Sequence, residues 1–227
     1  MSAPIVVFDL DGTLVDTAPD LIDTLNVVLA PEGVRPVGYD TARLLVGGGA
    51  RLMIERAFAA QHMILDETNL NRLFERFIAH YAEHIADKSQ PFAGVVAAID
   101  ALAERDMRFA VCTNKLEGLS RLLLDRLGLT QRFAFICGQD TFGVPKPDPT
   151  PLLRTISRAG GDPRRAVMVG DSATDVRAAR AARIPVIAVD FGYSDVPAAE
   201  LGADRTISDF ADLPPAVTDM LAMLQRD

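Results

Sequence analysis

The stretch from Ile5 to Asp16, IVVFDLDGTLVD, decides the fold of this chain. Its first four residues are apolar and mostly β-branched, which predicts a strand buried on both faces. Asp9 follows that strand directly, and Asp11 comes two residues later. Such carboxylates are costly to bury unless a cation pairs with them, and a carboxylate held by Mg²⁺ can attack phosphorus as a nucleophile. The alternative is an Asp-rich turn without chemistry, because Asp and Gly are ordinary turn residues.

Composition and charge limit the class of function. With 49% hydrophobic and 24% charged residues, the chain has the make-up of an ordinary globular protein. Its net charge of −8 argues against nucleic acid or an anionic membrane as a partner. No apolar stretch is long enough to cross a bilayer, and no signal-peptide pattern is present. Cys112 and Cys137 lie in apolar runs, as expected of buried thiols in a reducing compartment. We therefore expect a cytoplasmic protein, either a monomer or a homodimer.

Residues 17–88 carry a helical pattern and no strand signal. Apolar residues at three- and four-residue spacing predict several amphipathic helices. The expected helices are one that ends near Pro31–Gly33, a short one through Leu45, one that begins after Gly47–Gly49, and a long one from about Asp66 to Ala86.

Strands and helices alternate from residue 89 onward. The predicted strands are residues 108–112, 134–138, 166–169, 186–189 and 205–207, each separated from the next by a helix or loop. This alternation predicts an α/β fold with a doubly wound, mainly parallel, Rossmann-like sheet. We assign residues 1–16 and 89–227 to an α/β core domain, and residues 17–88 to an inserted all-helical domain.

Polar side chains follow four of the predicted strands. Beyond Asp9 and Asp11, they are Thr113 and Asn114, Lys146 in the loop GVPKPDP, and Asp171 and Asp175 in GDSATD. Each set also has a structural interpretation, because the first pair and Asp171 could cap helices and a loop lysine is usually solvated. Ligand sites in doubly wound folds lie at the carboxyl ends of the strands, which favours one shared site.

Together these motifs resemble those of the haloacid dehalogenase superfamily of phosphotransferases with an aspartate nucleophile. The matching motifs are DLDGT at Asp9–Thr13, the threonine of CTN, the lysine of KPDP and the run GDSATD. They span nearly the whole core in the family's order. The resemblance implies a Mg²⁺-dependent phosphatase that acts on a small phosphorylated metabolite through an aspartyl phosphate. Haloacid dehalogenases themselves lack an acid equivalent to Asp11, so its presence indicates phosphoryl transfer.

The resemblance also implies catalytic roles. Asp9 would attack phosphorus, and Asp11 would protonate the leaving alkoxide and then deprotonate the attacking water. Thr113 and Lys146 would hold the phosphoryl oxygens, with Asn114 beside them. These roles suit phosphoryl transfer, in which catalysis is mainly positioning and charge neutralisation.

The implied metal ligands are three of the same acidic residues. Mg²⁺ would bind the carboxylates of Asp9 and Asp171 and the backbone carbonyl of Asp11. Asp175 would either bind the metal directly or contact one of its ligands. The motif does not decide between the two.

Within the helical insert, VGGGARLMIERA resembles the cap loop of phosphoglycolate phosphatases. Gly48 and Gly49 would let backbone N–H groups face an anion, and Arg51 would pair with a substrate carboxylate. The alternative is a helix–helix turn followed by a surface arginine, because a cation near a helix N-terminus opposes the dipole. TNK at residues 113–115 and FGYSD at residues 191–195 add to this resemblance. The insert would then be a cap domain that excludes water from the site.

Two other functions are compatible with parts of this pattern. A phosphosugar mutase would share every core motif and would differ mainly in the cap. A phospho-accepting signalling domain also combines an aspartate, Mg²⁺, a threonine and a lysine on a doubly wound sheet. Such domains are about half as long and lack an aspartate two residues after the acceptor, so the second alternative fits poorly.

Overall fold

A computed structural model describes residues 3–39 and 49–224 of the chain. Six parallel strands form the main sheet, and two short antiparallel strands form a separate ribbon. In chain order the strands are β1 (Ile5–Phe8), β2 (Val15–Asp16), β3 (Gln90–Pro91), β4 (Arg108–Cys112), β5 (Phe135–Cys137), β6 (Ala166–Gly170), β7 (Val186–Val189) and β8 (Arg205–Ile207). The spatial order of the main sheet is β5-β4-β1-β6-β7-β8. The predicted parallel, doubly wound α/β fold is therefore confirmed.

Strand β1 lies in the middle of the sheet and is buried on both faces. It pairs in parallel with β4 on one side and with β6 on the other, and all four of its residues are fully buried. Ladder bonding continues past its end, where the Asp9 N–H donates to the Val169 carbonyl at 2.9 Å. The five later strands lie within one residue of their predicted bounds. Apolar runs of this kind predict central parallel strands well, because both faces must be apolar.

Helices cover both faces of the sheet. Their bounds are α4 (Val95–Ala103), α5 (Glu117–Arg126), α6 (Pro149–Arg158), α7 (Ala173–Ala181) and α8 (Leu213–Leu224). Alternate residues of β1 contribute to two separate clusters: Ile5 and Val7 pack with α6 and α7, whereas Val6 and Phe8 face the side of α4, α5 and α8. Helix α8 starts two residues before the predicted Pro215, because prolines are tolerated in a first helical turn.

The described part of residues 17–88 is helical, as predicted. It contains α1 (Ala18–Leu29), a short 3₁₀ turn (Ala30–Glu32), α2 (Ala50–Ala59) and α3 (Glu67–Glu83). Both α1 and α2 pack against α3. Asp66 is the N-cap of α3, and its carboxylate accepts the Asn69 N–H at 2.8 Å. The long helix thus ends three residues before the predicted Ala86, and the predicted helix through Leu45 lies outside the described residues. None of the described helices has the length and apolar character of a membrane span.

The ribbon of β2 and β3 joins the two linkers between the sheet and these helices, and it was not predicted. Two-residue strands are too short to produce a detectable period. Beside the ribbon, the buried Asp20 carboxylate accepts the Lys88 N–H at 3.0 Å, the Ser89 N–H at 2.8 Å and the Ser89 hydroxyl at 2.6 Å. One carboxylate therefore holds the outgoing and returning chains together. The division into core and cap domains stays a prediction, with this ribbon as its expected boundary.

Replacing Asp20 by Ala should destabilise the protein, because it leaves the N–H and hydroxyl of the buried Ser89, and the partly buried Lys88 N–H, without this partner. We expect a loss of at least ~2 kcal/mol in the free energy of unfolding, measured by urea denaturation. The matched control is Asp23→Ala, which removes an exposed carboxylate that contacts the Lys88 ammonium at 2.6 Å. That change should cost less than ~1 kcal/mol. Equal effects of the two substitutions would show that Asp20 does not hold the linkers together.

Candidate active site

The polar residues after β1, β4 and β6 meet at one edge of the sheet. These three strands are neighbours and run in the same direction, so Asp9, Thr113 and Asp171 leave the sheet side by side. Lys146 comes from the loop between β5 and α6 and reaches the same place. The structure thus brings the sequence-predicted core residues together, whereas their individual roles stay predictions.

The Lys146 ammonium lies among carboxylates in the interior. Its Nζ is 2.6 Å from Asp175 Oδ1 and 3.0 Å from Asp9 Oδ1, and it donates to the Cys112 carbonyl at 2.7 Å. Burial by itself lowers the pKa of a lysine, but the Asp175 and Asp9 carboxylates raise the pKa of Lys146 above its usual value. This lysine is therefore a permanent cation, unlike the solvated loop lysine of the structural alternative.

Three carboxylates share this small volume. Oxygens of Asp9, Asp171 and Asp175 all lie within 4.8 Å of one another. Burial, followed by repulsion from Asp175, raises the pKa of Asp9 to about 6, and burial with the charges of Asp175 and Asp9 raises the pKa of Asp171 well above its usual value. One lysine does not balance three acids. The remaining negative charge and the hard oxygen donors fit a divalent cation such as Mg²⁺.

Asp171 is held in place by backbone and side-chain donors. The Tyr193 N–H donates to its Oδ2 at 2.6 Å, and the Thr13 hydroxyl donates to its Oδ1 at 3.3 Å. Gly12 passes so close that a Cβ there would lie 2.3 Å from Asp171 Oδ2, and its φ of +80° favours glycine. The glycine of DLDGT is thus explained by the approach of two strand ends. Tyr193, from the FGYSD segment, was not recognised as part of the site from the sequence.

Both carboxylate oxygens of Asp175 have partners. Oδ1 contacts Lys146, while Oδ2 accepts the Ser172 N–H at 3.1 Å and the Ser172 hydroxyl at 2.6 Å. Ser172 is the N-cap of α7 and forms a capping box with Asp175. The interpretation of Asp171 as the N-cap is therefore wrong, because Asp171 precedes the cap and turns toward Asp9.

The side chains of Asn114 and Thr113 form hydrogen bonds with the backbone of neighbouring loops. The Asn114 side chain donates to the Lys146 carbonyl at 3.0 Å and accepts the Lys146 N–H at 2.9 Å, which locks the lysine loop against the end of β4. The Thr113 hydroxyl accepts the Lys115 N–H at 3.2 Å. The alternative that this pair caps α5 is wrong, because Leu116 is the N-cap and the first N–H of the helix, that of Glu117, donates to the Asp140 carboxylate at 2.8 Å.

Asp11 has a partner that sequence reasoning missed. Lys115 Nζ lies 3.0 Å and 3.2 Å from the two carboxylate oxygens of Asp11 and donates to the Tyr81 hydroxyl at 2.9 Å. Tyr81 belongs to α3, so this contact joins the sheet to the helical insert. In the sequence, Tyr81 is one residue of the predicted helix from about Asp66 to Ala86, and Lys115 is the third residue of TNK. The available signal was the phenol, because a buried tyrosine hydroxyl needs a hydrogen-bond partner.

A cavity opens above the carboxylates, between the sheet edge and the insert. Its walls are Asp9, Asp11, Thr113, Lys115 and Asp171 from the core and mainly apolar residues of α2 and α3, including Met53, Phe74, Phe77, Ile78 and Tyr81. Gly49 also lines this cavity, and a Cβ there would lie 3.8 Å from the Asn114 carbonyl. Gly48 lies outside the described residues.

Arg51 lies on the outer side of the insert. Its guanidinium donates to Asn71, approaches Glu67 at 3.8 Å and lies over the Phe74 ring, and nearly half of its side chain is exposed. It is not among the described residues that line the cavity. The predicted contact between Arg51 and a substrate carboxylate stays a prediction, and this geometry does not support it.

Residues 6–189 match the profile of the family described as haloacid dehalogenase-like hydrolase. The chain belongs to the haloacid dehalogenase-like hydrolase family. That match covers the whole set of acidic strand ends and Lys146, so the resemblance inferred from the motifs is confirmed, and the protein is an enzyme.

The chain is also similar to individual phosphatases. A phosphoglycolate phosphatase of Agrobacterium fabrum is 50% identical over 219 residues, which cover 96% of this chain and 94% of that protein. An N-acetylmuramic acid 6-phosphate phosphatase of Pseudomonas aeruginosa is 36% identical over 95% of this chain and 93% of its own length. Among solved structures, a predicted phosphoglycolate phosphatase from Haemophilus somnus superimposes with a TM-score of 0.87 at 27% identity, covering 95% of this chain and 98% of that one.

The charge balance of the cluster gives a test for the metal. A carboxyl whose pKa is raised on folding makes the folded state bind more protons than the unfolded state, so stability falls as the pH rises from about 4 through about 6. Bound Mg²⁺ should offset that loss. We therefore expect Mg²⁺ to raise the melting temperature more at pH 8 than at pH 5, each compared with EDTA.

The control for this measurement is Asp171→Asn. In that variant the difference between Mg²⁺ and EDTA should shrink at both pH values, because one proposed ligand is lost. An equal gain at pH 5 and pH 8 in the unmodified protein would contradict a metal site built on these carboxylates.

Proposed function

We propose that this hydrolase is a Mg²⁺-dependent phosphatase that cleaves a small phosphate monoester, 2-phosphoglycolate, through an aspartyl phosphate on Asp9. The observation that carries the proposal is the position of Asp9 at the end of the central strand, 3.0 Å from the buried Lys146 and beside Asp171. An anionic carboxylate next to a fixed cation and a metal-type oxygen cluster is suited to attack phosphorus. The names of the more similar relatives support the choice of substrate.

In the first step, a carboxylate oxygen of Asp9 forms a bond to phosphorus and the bond from phosphorus to the ester oxygen breaks. The Leu10 N–H donates to Asp9 Oδ1 at 2.7 Å, which fixes the carboxylate at the strand end. Asp11 lines the same cavity and gives its proton to the leaving oxygen, so that oxygen departs as a neutral hydroxyl instead of an alkoxide. Glycolate would be the alcohol released.

In the second step, Asp11 takes a proton from water as the water oxygen attacks phosphorus. The bond between Asp9 and phosphorus breaks, orthophosphate leaves and the Asp9 carboxylate is restored. Asp11 thus acts first as an acid and then as a base, which requires a side chain separate from the nucleophile. Asp11 lies two residues after Asp9 in the turn that follows β1, so the two carboxylates are separate side chains in the same site.

Charge neutralisation comes from two sources. Bound Mg²⁺ would neutralise the negative charge of Asp9, Asp171 and the phosphoryl group. Lys146 supplies a second, permanent positive charge beside Asp9, and Asp175 keeps it there. Thr113 is buried at the strand end and lines the cavity, within reach of a phosphoryl oxygen. With this arrangement, positioning and charge neutralisation together account for most of the catalysis.

The apolar wall of the cavity supports a small ester and a water-poor site. Met53, Phe74, Phe77 and Ile78 face the carboxylates from the insert. Apolar cover of this kind strengthens the electrostatic interactions beneath it and limits access of bulk water. A large leaving group would have to displace these side chains.

The substrate is tested by measuring phosphate release from a panel of esters in Mg²⁺. We expect the highest kcat/KM for 2-phosphoglycolate, and lower values for glucose phosphates and N-acetylmuramic acid 6-phosphate. A higher value for either sugar ester would contradict the proposed substrate. Conversion of one sugar phosphate into an isomer without release of phosphate would favour a phosphosugar mutase instead.

Asp9→Asn should abolish turnover, because an amide is a weak nucleophile and a poor metal ligand. The loss in kcat should be roughly a thousandfold or more, as for removal of other covalent nucleophiles. Its folding control is the melting temperature in EDTA, which should not fall, because the variant removes one of three crowded negative charges. Activity above a tenth of the wild-type level would contradict covalent catalysis by Asp9.

Asp11→Asn should slow the reaction in a way that depends on the leaving group. For an alkyl ester, whose leaving oxygen needs a proton, single-turnover phosphorylation of Asp9 should fall by about 10²–10⁴. For an aryl ester the fall should be much smaller, because phenolates leave without protonation. An equal fall for both esters would show that Asp11 is not the general acid.

A further inference from the structure

Lys115 is the second lysine of the site, and the steps above leave it without a function. It is buried, although it follows β4 by only three residues. Its ammonium contacts both oxygens of Asp11, the Tyr81 hydroxyl and, at 4.4 Å from the ring centroid, the face of the same tyrosine. Burying a lysine is costly. A structural ion pair between Asp11 and Lys115 would explain the burial, but it would not explain why the pair faces a cavity.

Lys115 is the only lysine or arginine among the described residues that line this cavity. Lys146 lies beneath the carboxylates, and Arg51 lies on the outer side of α2. The other ionisable residues of the lining are Asp9, Asp11, Asp171 and the buried phenol of Tyr81. Among the described residues of this lining, a second anionic group on a bound phosphate ester would therefore find a side-chain cation only at Lys115.

The backbone of Lys115 is fixed. Its N–H donates to Thr113 Oγ1, and its carbonyl accepts the Gln139 N–H at 3.0 Å. Gly138 allows this close packing, because a Cβ there would lie 2.6 Å from the Lys115 carbonyl oxygen and 2.1 Å from the Glu117 nitrogen. The ammonium therefore projects from a rigid loop, as expected of a group that must meet a substrate at a set position.

The reach of Lys115 matches one class of leaving group. The proposed acid, Asp11, must contact the ester oxygen, and Lys115 Nζ lies 3.0 Å from that carboxylate. In a phosphate ester of a 2-hydroxycarboxylic acid, one carbon separates the ester oxygen from the carboxylate. A substrate with its ester oxygen at Asp11 would bring its carboxylate to the neighbouring Lys115.

We propose that Lys115, together with the Tyr81 hydroxyl, binds the carboxylate of the leaving group and so selects phosphate esters of 2-hydroxycarboxylic acids. This inference rests on the proposed function and assigns its specificity to named side chains. The Tyr81 oxygen accepts from Lys115, so its own proton can be donated to a carboxylate oxygen. Burial and the nearby Asp11 raise the pKa of Tyr81 well above its usual value, which keeps this proton in place. Because Tyr81 comes from α3, the carboxylate would be bound from both sides of the cavity.

The test compares 2-phosphoglycolate with ethyl phosphate, in which a methyl group replaces the carboxylate. The quantity measured is the ratio of kcat/KM for the two esters, because losses in the shared chemistry cancel in it. Lys115→Met should lower this ratio by roughly tenfold to a hundredfold, as expected for loss of a charged hydrogen bond. Lys115→Arg should restore part of the preference, since it keeps the charge.

Two further variants separate the proposal from trivial explanations. Lys88→Met makes the same side-chain change at an exposed ion pair with Asp23 and should leave the ratio unchanged. Tyr81→Phe keeps the ring in the core and removes only the hydroxyl, so it should lower the ratio by about tenfold. Folding of Lys115→Met is checked by circular dichroism. If that variant does not fold, the ratio measured for Tyr81→Phe decides the test.

The outcomes distinguish this proposal from the proposed function. If the unmodified enzyme prefers 2-phosphoglycolate and both Lys115→Met and Tyr81→Phe keep that preference, the role of Lys115 is overturned and the substrate stands. If Arg51→Ala alone removes the preference, the carboxylate is bound by the insert loop and the role of Lys115 is again overturned. If the unmodified enzyme hydrolyses ethyl phosphate as well as 2-phosphoglycolate, both the substrate and the role of Lys115 are overturned.

Discussion

The contact of the Lys146 ammonium with Asp175 and Asp9 is the interaction on which this site depends. Three carboxylates within 4.8 Å of one another would repel strongly in a buried environment. Lys146 offsets part of that charge from below, at 2.6 Å and 3.0 Å, and leaves the opposite side of Asp9 and Asp171 facing the cavity. The remaining imbalance is what makes the site suitable for a divalent cation. The unbalanced negative charge therefore lies at the position where the chemistry is proposed.

The order of the strands brings the carboxylates and the lysine together. A central parallel strand with both neighbours in register delivers three acidic or polar side chains to one point, and the crossover loop from β5 brings the lysine. Gly12 then allows the close approach of Asp171 to the turn after β1. The helical insert is attached beside the same turn, through the ribbon and the Asp20 carboxylate, so the cavity forms where the linkers leave the sheet. The sheet topology therefore determines where the cavity lies.

The sequence predicted those features that depend on local pattern. Buried parallel strands are continuous apolar runs, so their positions, and the residues that follow them, could be identified within a residue. Lys115 and Tyr81 were missed because their contact joins two segments that are far apart in the chain, and neither residue stands out in its own segment. The paired strands of the ribbon were missed because two residues carry no period. Arg51 was selected on the chemistry of arginine, whereas its direction depends on how α2 packs against α3, which no local pattern specifies.

The central claim is that Asp9 is a nucleophile rather than one acid of a structural cluster. Its most direct test is to trap the phosphorylated enzyme. The Asp11→Asn variant is mixed with Mg²⁺ and an aryl phosphate, quenched, and reduced with borohydride, which converts an aspartyl phosphate to homoserine. The account predicts homoserine at Asp9, detected by mass spectrometry of the peptide that contains it. Homoserine at another aspartate, or none while the variant is still releasing the phenol, would contradict it.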